Sequence, residues 1–214
     1  MEKHPWEKAW SDKKFKITTL KPSIIVEEHI NKLFPGDSVL DVGSGNGRNS
    51  IYLASLGCKV DSFDVSDIKW IESLASKIKD NISFTKSSIL DYYYSVDKYK
   101  AIIITRVVQY LNKEELIYLL DRVASSLTND GFLLLSYSNQ GGIFNRDEIN
   151  VPKYHYDIEE ITSMLKDRFE TIEITKGANI NTHVNYNDKI ISYDIYAALV
   201  LNKIKMINKI KPLT

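Results

Sequence analysis

The stretch "VLDVGSGNGRNS", residues 39–50, places three glycines within five positions directly after an apolar run. Glycine carries no Cβ and reaches backbone conformations that other residues avoid, so this spacing marks a turn where backbone must pass close to something. The preceding "SVLDV" reads as a strand and the following "RNSIYLASLG" as a helix. In an open α/β sheet such a turn lies at the carboxyl ends of the strands, where ligands bind, and the first N–H groups of the helix face that crevice. Glycine-rich turns also occur without ligands, so a companion residue matters. Asp64 supplies it: it closes the strand "KVDSFDV", 21 residues beyond Gly43, where a carboxylate accepts both hydroxyl protons of an adenosine ribose.

Outward from this centre the chain alternates. Strand-like runs occur at Ser38–Val42, Lys59–Phe63, Ile82–Lys86, Ala101–Thr105, Phe132–Tyr137, Phe169–Thr175 and Ser192–Leu201. Helix-like stretches lie between most of them, at Pro22–Lys32, Arg48–Leu56, Asp67–Lys79, Lys113–Leu127 and Asp157–Lys166. In the stretch from Lys113, Leu116, Leu119, Leu120, Val123 and Leu127 share one face. The alternation predicts an α/β fold: a Rossmann-like, doubly wound sheet of seven strands, mostly parallel, with helices on both faces. No helix-like run joins the last two strands, only the polar "KGANINTHVNYNDK", which predicts a hairpin and an antiparallel final strand.

A chain of 214 residues suits one domain, here residues 1–214, with an amino-terminal cap segment (1–21), a core (22–201) and a basic tail (202–214). Lys plus Arg and Asp plus Glu each number 28, so no global field attracts nucleic acid, and no such partner is expected. No apolar stretch approaches the ~20 residues that span a bilayer, and the first twenty residues lack the apolar core of a secretion signal. A lone Cys58 forms no internal disulfide and no zinc site, so no metal is expected and a reducing cytoplasm fits. The expected state is a monomer or homodimer acting on a small molecule.

A dinucleotide fingerprint reads G-x-G-x-x-G, but here Arg48 stands at the third glycine and Asp41 precedes the turn. The motif acid-x-Gly-x-Gly-x-Gly, with an acid closing the second strand, resembles the class I S-adenosylmethionine-dependent methyltransferases. "LDVGSGNGRNSIYLASLGCKV" looks most like the tellurite-resistance-type methyltransferases and the small-molecule enzymes grouped with them. The resemblance implies S-adenosyl-L-methionine as cofactor and S-adenosyl-L-homocysteine as product. By position it implies that Gly43, Ser44, Gly45 and Gly47 wrap the methionine and ribose, that Asp41 orients toward the amino end, that Asp64 holds the ribose hydroxyls, and that Val65 flanks the adenine. Ser88 and Ile89 align with the family's adenine-binding acid and apolar residue, although Ser replaces the acid and Asp91 lies close by. Thr105 and Arg106 end the fourth strand, where the resemblance implies that backbone carbonyls meet the cofactor's amino group and side chains begin to face the acceptor.

Methyl transfer from a sulfonium asks for in-line approach and an unprotonated nucleophile, so positioning carries most of it and a base is needed only for some acceptors. The catalytic candidates are His155, Arg106, His183 and Tyr137. His155, in "VPKYHYD", borders the mouth or else serves as a loop or cap residue before the helix at Asp157; His183 reaches the mouth or sits at a hairpin tip. His29 reads as structural. Trp6 and Trp10, four apart, form a lid over the cofactor or clamp the amino-terminal segment to the core. Of Tyr92, Tyr93 and Tyr94, alternation buries one and exposes others. "SNQGGIFNRDEINVP" has the length and glycines of a lid, with Arg146 an anion-binding candidate. The function expected is O- or N-methylation of a small molecule. Alternatives are a tellurite or chalcogen acceptor, an RNA or protein acceptor, and a cofactor-binding module without transfer activity.

Overall fold

The computed structural model describes residues 6, 21–67, 74–138, 154–176, 184–186, 189–191 and 197–203. Its strands are β1 (Ser38–Val42), β2 (Lys59–Asp64), β3 (Ile82–Lys86), β4 (Tyr99–Thr105), β5 (Leu127–Tyr137), β6 (Phe169–Lys176), β7 (Val184–Tyr186), β8 (Lys189–Ile191) and β9 (Ala197–Lys203). The helices are α1 (Ile24–Glu28), α2 (Arg48–Ser55), α3 (Ser76–Lys79), α4 (Lys113–Ser126) and α5 (Ile158–Leu165). Seven strands form one sheet in the order β3-β2-β1-β4-β5-β9-β6, and β7 and β8 pair separately. The first five sheet strands run parallel, while β9 is antiparallel to both neighbours, β5 and β6. The predicted Rossmann-like fold, with an antiparallel last strand, is the one observed.

The central strands read as continuous apolar runs because both faces are covered. Leu40, Val42, Ile102, Ile104, Leu133 and Leu135 join one buried cluster with Leu116, Leu119 and Leu120 of α4. Val39, Ala101, Ile103, Phe132 and Leu134 join another, with Ile25, Val26, Leu53 and Ala54 of α1 and α2. The two sets alternate along each strand, as the two-residue period of a pleat requires. Helix α4 begins with a reciprocal cap: Glu115 N–H donates to Asn112 Oδ1 and Asn112 N–H to Glu115 Oε2, both at 2.9 Å.

Several boundaries differ from the sequence expectation. The helix expected over Pro22–Lys32 is the short α1 followed by a 3-10 turn at Ile30–Lys32. That over Asp67–Lys79 is observed as α3, positions 68–73 lying outside the described residues. Leu127 is the extended residue that ends α4 and opens β5, and the segment just before β4 takes the carbonyls at the helix end: Asp97 N–H donates to Ser125 O and Lys98 N–H to Ser126 O. The ladder shifts between Tyr99 and Ala101, and a Cβ on Gly131 would stand 2.9 Å from Tyr99 O, so the crowded corner admits only glycine. The final strand is observed as β9, Ala197–Lys203, and positions 192–196 of the expected run lie outside the described residues. Tyr94 is buried, Tyr92 stacks on Phe63 with centroids 4.0 Å apart, and Tyr93 is exposed. No helix among the described residues is long and apolar enough to cross a membrane.

Candidate active site

At the carboxyl edge of β1 the chain turns through Gly43, Gly45 and Gly47, with φ of 63, 54 and 73°. The conformation is enforced at Gly43, where a Cβ would come within 2.5 Å of Val107 Cγ2, so the first turn packs directly on the segment after β4. Gly47 is the N-cap of α2 in the left-handed region. The turn is tied to β2 by two bonds: Ser44 N–H donates to Phe63 O and Gly45 N–H to Asp64 Oδ2, both at 3.0 Å. The other oxygen of Asp64, Oδ1, accepts the Ser66 N–H at 2.9 Å. Asp64 is therefore a clasp between the glycine turn and the end of β2.

Around this turn lie buried polar atoms without a hydrogen-bond partner among the described residues: Asp41 Oδ1, Ser44 Oγ and Asn46 Nδ2. Buried polar atoms in proteins are nearly always paired, so a cluster of orphans at one crevice calls for a polar ligand. Asp41 is 1% exposed, and its Oδ2 accepts the Ser50 hydroxyl at 2.6 Å. Burial pushes its pKa up to about 6, opposed by the Ser50 hydroxyl and the Arg48 guanidinium. Burial lowers the pKa of Arg48 in turn, with Asp41 opposing. Arg106, across the crevice, is lowered by burial to about 10, with Tyr110 opposing and Arg48 adding repulsion. Two carboxylates and two guanidiniums thus stand about the turn, Asp41 buried and Asp64, Arg48 and Arg106 half-buried.

One side chain holds the floor together. Asn49, in the first turn of α2, accepts from Ser23 N–H at 2.8 Å and Ser23 Oγ at 2.7 Å, and donates to Thr105 Oγ1 at 3.1 Å. It joins the start of α1, the start of α2 and the end of β4, with Thr105 held from below.

The remaining expected residues fall as follows. Val65 and Ser66 follow Asp64 at the sheet's edge, Val65 half-buried and Ser66 buried. Ser88 and Ile89 lie after β3; Ser88 Oγ donates to Asp91 Oδ2 at 2.6 Å and accepts the Asp91 N–H at 3.2 Å, so serine and acid form one turn. Arg106 has φ of 63°, rare outside glycine, and its N–H donates to Ser136 O at 2.8 Å. Tyr137, ending β5, is buried in the core. His155 is exposed, and Asp157 rather than His155 caps α5. His183, Trp10 and Arg146 lie outside the described residues. Trp6 packs edge-on against Tyr110, centroids 4.9 Å apart at 77°. His29 is structural, its Nδ1 within 2.9 Å of Ile25 O and its Nε2 within 3.2 Å of Glu173. Sequence reasoning passed over Asn49, Ser50, Val107 and Tyr110; polar residues on the inward face of α2 were the available signal for the first two.

The sequence pattern of the tellurite resistance protein TehB family matches residues 4–141. The ribosomal protein L11 methyltransferase of Campylobacter concisus is 30% identical over 154 residues, 71% of this chain and 46% of that protein. The probable S-adenosyl-L-methionine-dependent methyltransferase TehB of Haemophilus influenzae is 29% identical over 132 residues, 61% of this chain and 41% of that protein. The chain thus spans less than half the length of these curated relatives. Among solved structures, the Burkholderia thailandensis 1,6-didemethyltoxoflavin-N1-methyltransferase, with its substrate and S-adenosylhomocysteine bound, is 16% identical with a TM-score of 0.62, covering 89% of this chain and 80% of that one; it shares the fold. The matched pattern takes in the glycine turn, Asp41, Asp64 and the end of β4, and by it the chain belongs to the TehB family of class I S-adenosylmethionine-dependent methyltransferases.

Proposed function

We propose that this chain transfers the methyl group of S-adenosylmethionine to an oxygen or nitrogen of a small-molecule acceptor, working in the cytoplasm as a monomer or homodimer. The observation that carries the reading is the unpartnered Asp41 Oδ1 beside a turn with no room for a Cβ at Gly43. That oxygen suits the ammonium of the donor's methionine, Gly43, Ser44, Gly45 and Gly47 surround the methionine and ribose, and the clasped Asp64 presents its carboxylate to the ribose hydroxyls. Val65 and Ile89 flank the adenine, and the Ser88–Asp91 pair offers its amino group an acceptor. Backbone carbonyls at Thr105 and Arg106 would meet the donor's amino group, with the side chains beginning to face the acceptor.

When bound, the donor supplies a sulfonium methyl whose carbon–sulfur electron pair returns to sulfur as the acceptor's lone pair forms the new bond. The protein's part is to align the acceptor, keep water out and leave the nucleophile unprotonated; an acceptor proton, where there is one, passes to solvent or a mouth residue such as His155. The family's name favours a second reading, a chalcogen oxyanion as acceptor.

The test is a calorimetric titration with S-adenosylhomocysteine and NAD, followed by transfer of labelled methyl to pooled small metabolites, selenite and purified ribosomal protein in parallel. Binding of S-adenosylhomocysteine alone, with label in the metabolite pool, is the expected result. Binding of NAD, or label appearing only in selenite or protein, overturns the proposal.

A further inference from the structure

The hydrogen bonds of Asn49 each have a fixed direction. The Ser23 N–H can only donate, so the oxygen of the Asn49 amide must face it at 2.8 Å, with the Ser23 hydroxyl on the same oxygen at 2.7 Å. That leaves Nδ2, which can only donate, on Thr105 Oγ1 at 3.1 Å. Thr105 therefore accepts from Asn49, and its own hydroxyl hydrogen goes to no acceptor among the described residues. Ser23 and Asn49 are buried, whereas Thr105, at the carboxyl end of β4, is half-buried. The next residue of α2, Ser50, acts likewise on Asp41: its hydroxyl occupies Oδ2 and leaves Oδ1 unpartnered. Asp41 pairs with Ile103 in the β1–β4 ladder and Thr105 lies two residues further on, so by the pleat all three side chains share the face that α2 covers. The first turn of α2 thus leaves one acceptor and one donor on adjacent strands. The helix itself begins with no side-chain cap on its first N–H groups.

We infer that Thr105 donates its hydroxyl to the methionine carboxylate of the methyl donor, and that Asn49, through its Nδ2 bond, is the positioning residue that keeps Thr105 a donor. The inference rests on the donor site proposed above and deepens it by assigning a partner to the carboxylate. An ammonium on Asp41 Oδ1 brings the carboxylate with it, because the two groups of an α-amino acid share one carbon. On that face of β1 and β4 the available donors are the Thr105 hydroxyl and the uncapped start of α2, whose dipole also favours an anion. A hydroxyl-to-carboxylate bond is charge-assisted and changes affinity about tenfold or more. A hydroxyl that rotates freely presents either a hydrogen or a lone pair; with Asn49 on one lone pair, Thr105 turns its hydrogen outward, which matches a carboxylate and leaves the ammonium to Asp41 and the backbone carbonyls. Thr105 thus serves the donor, and the acceptor's side of the crevice begins at Arg106.

The test is calorimetry on the whole chain with S-adenosylhomocysteine and with its decarboxylated analogue, S-adenosyl-3-thiopropylamine. Wild type is expected to bind S-adenosylhomocysteine at least about tenfold more tightly than the analogue. Thr105→Val, which keeps the shape without the hydroxyl, should bring that preference below about threefold and leave affinity for the analogue within about twofold of wild type, while Thr105→Ser should keep the preference. Asn49→Asp preserves the acceptor for Ser23 but sets an oxygen against Thr105, whose hydroxyl must then turn to it; the preference should fall as in Thr105→Val although Thr105 is intact. In a protein already carrying Thr105→Val, Asn49→Asp should lower the preference by less than about twofold further. If Asn49→Asp fails to fold, Asn49→Ser, which removes the amide donor, takes its place with a smaller loss expected. Equal binding of the two ligands by wild type, or a preference that survives Thr105→Val, overturns the inference and leaves the donor site standing. An unchanged preference in the Asn49 variant, or the same loss with and without the Thr105 hydroxyl, overturns the positioning role of Asn49. Failure of wild type to bind S-adenosylhomocysteine at all removes the donor site first, and the inference with it.

Discussion

Gly45 donates its backbone N–H to Asp64 Oδ2 at 3.0 Å, and so fastens the turn after the first strand to the end of the second. With Ser66 N–H on Oδ1, the carboxylate satisfies two backbone donors. Asp64→Ala should therefore do two things. It leaves two N–H groups without their acceptor, which lowers stability by about 2 kcal/mol at roughly 1 kcal/mol each. It also removes the ribose acceptor, weakening S-adenosylhomocysteine at least about tenfold, the equivalent of ~1.4 kcal/mol. Asp64→Asn keeps one oxygen and should fall between the two. Urea melts and calorimetry measure both; unchanged affinity in a folded Ala variant refutes the ribose role.

Gly43 and Val107 offer a test of why the turn needs glycine. Gly43→Ala adds a Cβ 2.5 Å from Val107 Cγ2 at a φ of 63°. The left-handed backbone costs on the order of 1 kcal/mol for alanine and the overlap roughly 1–3 kcal/mol more. Val107→Ala removes the clashing methyl, so the double variant, compared with Val107→Ala alone, should recover the overlap and retain only the backbone cost. If urea unfolding gives the same penalty in both backgrounds, crowding is not the reason for the glycine.

Asn49 joins three elements through three hydrogen bonds, two of them from Ser23. Asn49→Ala strands buried donors and an acceptor and should destabilise by about 3 kcal/mol, at roughly 1 kcal/mol per bond. Thr105→Val removes one of the three and should cost about 1 kcal/mol. Equal losses for the two variants would mean that Ser23 draws nothing from Asn49, contrary to the structure.

What the sequence makes legible follows from how local the signal is. β1 falls on the expected Ser38–Val42 because an apolar run after a polar break marks a covered strand, and β3 falls on Ile82–Lys86 as an edge strand whose Ile82 is buried and whose remaining residues are not. The glycine turn and the place of Asp64 at the end of β2 were legible because both follow from local conformation and from the end of an apolar run. Asn49 was not, since its partners Ser23 and Thr105 lie 26 and 56 positions away and nothing in "GRNS" names them. Nor were the left-handed backbone of Arg106 and the bulge between Tyr99 and Ala101, which arise from contacts across strands. The last strand runs past the expected Leu201 to Lys203 because its pairing reaches Asn202 opposite Phe132, a contact across strands that the apolar pattern does not reveal.

Asp41 sets the pH behaviour of the site. Its pKa in the folded protein, about 6, lies above the ordinary 3.8 because burial penalises the charged form. The native state therefore binds this proton more tightly than the unfolded chain does. Its contribution is fully present below pH 3.8 and is lost as pH rises to about 6. The gap corresponds to about 3 kcal/mol. Asp41→Asn can still accept the Ser50 hydroxyl but does not ionise, so its stability relative to wild type should improve by about 3 kcal/mol between about pH 4 and pH 7. Binding works in the opposite sense. An ammonium placed against Oδ1 favours the carboxylate, so S-adenosylhomocysteine should bind wild type more tightly as pH rises through about 6 and release protons as it does so. Calorimetry near that pH in two buffers of different ionisation enthalpy reads the released protons directly, and Asp41→Asn should release none. Parallel stability curves for the two proteins, or equal proton release, would show that Asp41 is already charged in the native state and that its Oδ1 has a partner other than the donor.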